Sequence, residues 1–84
     1  MKNHTLPQVI QAALNTVSRY RNVELVAFTV EWNDDEGMYI IKLYCKGSFS
    51  ELMKLWGEAS KEVAKVAGDL RRCFAVLVEP ILTA

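Results

Sequence analysis

Asp34, Asp35 and Glu36 are the first residues whose type and spacing could do chemistry, because close carboxylates can hold a divalent cation or carry a proton. Their spacing argues against both uses. Consecutive side chains diverge, and the ordered oxygen ligands of a calcium loop are missing. Asn33 and the aspartates can bond their own backbone, and Gly37 can take a positive φ. That is the chemistry of a hairpin turn between two apolar runs. The stretch is read as a solvated connection, with no metal ligand and no catalytic carboxylate.

Cys45 and Cys73 are candidate nucleophiles by type, yet each falls in an apolar strand pattern, where cysteine acts as a small inert hydrophobe. His4 precedes the first helix without a neighbouring carboxylate or thiol to activate it. Nothing assembles into a Ser-His-Asp or Cys-His set, and Gly47, Gly57 and Gly68 do not form a phosphate loop. The chain therefore reads as a non-enzymatic protein with no cofactor. Two cysteines fit neither a disulfide framework nor a zinc pattern, which makes a reducing cytoplasm the default.

Lys42, Tyr44 and Lys46 alternate along one strand and set an aromatic ring between two ammonium groups. Single-strand nucleic-acid binders use such a ring for base stacking and such cations for phosphate. The competing explanation is lysines snorkelling from a strand face. Ten basic residues balance ten acidic ones, so bulk charge does not draw the chain to nucleic acid.

Elements that would position these residues follow from periodicity. Thr5 and Gln8 form a capping-box pattern with Pro7 in the first turn, and Leu6, Val9, Ile10, Ala13, Leu14 and Val17 recur at three and four. A helix is predicted over about 6 to 20. "VELVAFTVEW" and "MYIIKLYCK" alternate as strands. Val26, Phe28, Val30 and Trp32 are taken to share one side of the first, and Tyr39, Ile41, Leu43 and Cys45 one side of the second. Ser48 and Glu51 open a second helix, about 49 to 68 and extendable through Leu70, with Leu52, Leu55, Trp56, Ala59 and Val63 on its apolar face. "CFAVLVE" reads as a third strand that Pro80 terminates. Trp32 and Trp56 are read as core packing anchors.

The order α-β-β-α-β over residues 1–84 predicts a single α+β domain in two layers, a three-stranded sheet with two helices on one face. A right-handed crossover makes the third strand parallel to the second. The third strand can then sit beside the first, giving the sheet order 2-1-3, or beside the second, and the first placement is preferred because it puts the most apolar partner in the centre. One sheet face is then bare, lined by Val23, Leu25, Ala27, Met38 and Ile40. A chain of 84 residues buries only about 60 to 65 % of its unfolded surface, so its core is thin. An apolar bare face on such a core predicts a homodimer that acts by protein contact, as an adaptor or regulator. Nucleic-acid binding through Lys42, Tyr44 and Lys46 is the alternative. Gln8, Gln11 and Asn15 interrupt the first apolar stretch too often for a signal peptide, and no run approaches the roughly 20 residues of a membrane span.

Overall fold

A computed structural model of the chain describes residues 5–81. Helix α1 (Thr5–Val17) leads into strand β1 (Glu24–Asn33), which pairs with β2 (Met38–Lys46); helix α2 (Phe49–Ala67) and a 3₁₀ helix (Gly68–Cys73) then lead to β3 (Phe74–Pro80). The predicted order of elements is the observed one. Two ends differ in local detail. α1 stops three residues short of Tyr20, because Arg19 and Tyr20 donate to the carbonyls of Thr16 and Val17 and tighten the chain into a turn. α2 stops at Gly68, whose φ of 59° leaves the helical region, so Leu70 and Cys73 lie in the 3₁₀ segment. The start of α2 follows the capping chemistry: the Ser48 hydroxyl accepts from the Glu51 N–H at 3.3 Å.

The sheet order is β1-β2-β3, with β1 antiparallel and β3 parallel to β2. This corrects the 2-1-3 order. Apolarity favoured β1 as the centre, but β2 is the strand whose inward side chains are fully enclosed: Ile41, Leu43 and Cys45 have no exposed surface. The α2 crossover sets β3 directly beside the strand it left, and β1, joined by a tight hairpin, keeps the outside position.

One cluster holds the layers together. Val9, Ala13 and Val17 of α1 meet Leu52, Leu55, Ala59 and Val63 of α2 above Ile41, Leu43, Cys45 and Val76. Both helices therefore lie on one face of the sheet. β1 reaches this core through Leu25 and Val30. Gly47 permits the turn into α2, since a Cβ there would sit 3.3 Å from the Asn22 carbonyl and from Val23.

Candidate interaction surfaces

Strand pairing decides which residues line the face without helices. Ile40 pairs with Glu31 and Ala75, Lys42 with Thr29 and Leu77, and Tyr44 with Ala27 and Glu79. These side chains alternate with the buried ones of β2 and so occupy the opposite face. Ala27, Met38, Ile40, Tyr44, Ala75 and Leu77 give that face an apolar band, and no described helix or strand lies over it.

Of the five residues expected there, Ala27, Met38 and Ile40 are on it. Val23 and Leu25 are not. Val23 is 8 % exposed within the core, and Leu25, opposite Cys45, packs against the same cluster. The physical reason is a β-bulge: the register shifts between Leu25 and Ala27, so Val26 is an extra residue. Inward positions are odd before the bulge and even after it. Uninterrupted alternation, assumed from the sequence, therefore misplaces residues upstream of Val26.

Lys42, Tyr44 and Lys46 do share the outer face, on the central strand. Each has an acidic neighbour. The Lys42 ammonium lies 3.6 Å from the Glu31 carboxylate, Tyr44 pairs with Glu79, and Lys46 pairs with Glu24. β3 brings no base to this face. The three therefore sit within a mixed-charge surface.

The acidic stretch is a turn. Gly37, with φ of 65°, donates its N–H to the Asn33 carbonyl at 2.8 Å, and the Asn33 side chain accepts from the Glu36 N–H at 3.1 Å. Among the described residues, no three His, Cys, Asp or Glu side chains are grouped to hold a metal ion. Both cysteines are free; burial raises the Cys45 thiol pKa above its ordinary value and makes it a poor nucleophile. Their strands set them at opposite ends of the sheet, since Cys45 pairs with Pro80 while Cys73 precedes Phe74, the partner of Tyr39. His4 lies outside the described residues.

Neither tryptophan is the buried anchor that periodicity predicts. Trp56 is 40 % exposed, with its indole N–H donating to the Val76 carbonyl at 2.7 Å, and so clasps β3 from the flank of α2. Trp32 is 53 % exposed. Sequence reasoning also missed a row of rings across the three strands: Trp32 meets Tyr39 edge-on at 4.9 Å, and Tyr39 stacks with Phe74 at 5.8 Å. A cleft of about 460 Å³ opens over this row, between Leu6 of α1 and Leu70 and Cys73 of the 3₁₀ helix. The hairpin register carries half of that signal, because positions 32 and 39 flank the turn symmetrically. Phe74 joins only through the β2–β3 pairing.

Compared with protein-family models, curated proteins and solved structures, the chain has no match.

Proposed function

We propose that this chain is a small non-enzymatic interaction domain of the cytoplasm that pairs with a second copy through the helix-free face of its sheet. The observation supporting this reading most is the apolar band of Met38, Ile40, Ala75 and Leu77 beside Ala27 and Tyr44, with both helices on the other side. At about 3.3 Å per residue and 4.8 Å between strands, three strands of about eight residues present roughly 400 Å² in plan. Doubling such a face gives roughly 800 Å² of buried surface, short of the roughly 1,000 Å² of stable specific interfaces and in the range of a weak, reversible pair. The charges are self-complementary as well, with Glu31, Lys42, Lys46 and Glu79 alternating around the band, so a two-fold axis can set acids against bases.

Acting through protein contact follows from the apolar band that the described residues present. No helix there is long and apolar enough to cross a membrane. Two free thiols suit a reducing compartment. Nucleic-acid binding through Lys42, Tyr44 and Lys46 is the weaker reading, because phosphate recognition needs uncompensated positive charge and these lysines have acidic neighbours.

Sedimentation velocity over a concentration series tests the proposal. The wild-type chain should dimerise in the micromolar range, Ile40→Lys and Leu77→Glu should sediment as folded monomers, and Lys61→Glu on α2 should behave as wild type. A wild-type monomer at high concentration refutes the pairing. Retention on a single-stranded DNA column that weakens steeply with salt, and is lost on Lys42→Ala with Lys46→Ala, would favour the alternative instead.

A further inference from the structure

We propose that the cleft beside the hairpin turn binds an organic ammonium ion, a quaternary or methylated amine on a short apolar stem. The cleft opens on the helix side at the turn end of the sheet, so this site is separate from the pairing face and stands without it. Its volume of about 460 Å³ falls in the range of small-ligand sites. Leu6 and Leu70 give it apolar flanks, and Trp32, Tyr39 and Phe74 line it from three adjacent strands.

A methylated ammonium has no need of hydrogen-bond acceptors; it needs aromatic faces of negative potential in a place partly closed to water. Trp32 and Tyr39 meet at 62° and form a corner, and Phe74, which also lines the cleft, stacks on Tyr39. Half-exposed indoles are ordinarily free to reorient. Here the Trp32 N–H donates to the Asp34 carboxylate, which favours one orientation of the ring. An anion at the N–H also pushes electron density into the π system and strengthens its hold on a cation.

Electrostatics around the cleft favours the same ligand. Asp35 and Glu36 follow Asp34 on the turn, and Gly37, next in the chain, borders the cleft. Among the described residues no lysine or arginine lines it. Of the two arginines nearby in sequence, Arg71 donates to the Gly68 carbonyl and borders a separate depression beside Trp56, and Arg72 is exposed outside the lining. An anionic ligand would find no base among the described lining residues and would meet the Asp34 carboxylate held on the indole N–H. Asp34 thus acquires a role at the aromatic corner, as the anion held on its indole N–H.

Titration of the ¹⁵N-labelled full chain with tetramethylammonium chloride tests the site, with sodium chloride as the ionic-strength control and 3,3-dimethylbutan-1-ol as a neutral isostere of similar shape. The chain has two indole N–H signals, and Trp32→Phe assigns them. The expected result, at millimolar concentration, is a saturable shift of the Trp32 indole signal and of the Gly37 and Tyr39 backbone amides, which report in the Trp32 variants, with no shift at the Trp56 indole. The neutral alcohol should bind at least about fivefold more weakly, and Trp32→Ala should weaken the cation at least about tenfold. Trp32→Phe, which keeps a ring of weaker π character, should fall between Trp32→Ala and wild type, and Asp34→Asn should weaken binding about threefold. Because Trp32 is half-exposed, the backbone spectrum of each variant shows directly that it is folded. Equal binding of the neutral alcohol, no saturable shift, or indifference to both Trp32→Ala and Asp34→Asn would each overturn the assignment.

Discussion

β3 and β1 are both edge strands, yet they are finished differently. β3 is seven residues long, lies against α2, has its Val76 carbonyl taken up by the Trp56 indole, and ends at Pro80. β1 runs ten residues with Phe28 and Trp32 open on the helix side, and only Leu25 and Val30 reach the core. The crossover explains the asymmetry. A helix linking two adjacent parallel strands must lie over those two, so α2 seals the β2–β3 half. The hairpin strand stays outside that cover. Chain connectivity, more than side-chain apolarity, decides which half of this sheet is dry. β1 carries six apolar side chains to the five of β3, yet it is the strand left wet, and both proposed functions draw on surface that α2 does not cover.

Two truncations should separate the sealed half from the open wing most strongly. Leu55→Ala, under the sealed half, should cost about 2 to 5 kcal/mol, while Phe28→Ala on the open wing should cost no more than about 1 kcal/mol. Urea midpoints at one protein concentration give both numbers. Equal losses would mean that β1 is covered in solution, by a partner or by the chain itself.

A smaller effect concerns the clasp on β3. Trp56→Phe keeps most of the apolar contact and removes the bond to the Val76 carbonyl, which should cost about 0.5 to 1.5 kcal/mol, well short of the about 3 to 5 kcal/mol of a fully buried ring. Amide exchange sharpens the reading. Loss of the clasp should speed exchange in β3 before β1 or β2, and uniform acceleration would show that Trp56 acts on global stability alone.

The smallest expected effect is chemical. In the native state iodoacetamide should modify Cys73 well before Cys45, which is fully enclosed on β2. Burial raises the Cys45 thiol in the folded chain, so at pH above the unfolded thiol value of about 8.5 the folded state holds more protons than the unfolded one. Its contribution to stability is therefore complete below that pH and is lost as pH rises through the folded value. Melting temperature should fall as pH rises above about 8.5, and less so in Cys45→Ala. Parallel curves for the two proteins would assign the fall to other groups.

Much of this architecture is legible in short-range pattern. The capping hydroxyl of Ser48, the three-and-four recurrence of Leu52, Leu55, Ala59 and Val63, and the asparagine, aspartate and glycine of the turn each act within a few residues. Elements, their order and the turn could therefore be read from neighbours in the chain. The alternation of Tyr39, Ile41, Leu43 and Cys45 also named the buried side of β2 correctly. The remaining features depend on residues far apart in the chain. The place of β3 beside β2 depends on how α2 packs, and the bulge at Val26 on pairing with Cys45 and Tyr44, so the exchange of Val23 and Leu25 from face to core has no local signature. Phe74 completes the aromatic row only because a strand 35 positions after Tyr39 lies beside it. Local hydrogen bonds and side-chain period act over a turn of chain, whereas strand neighbours and clefts come from the way whole elements share one small core.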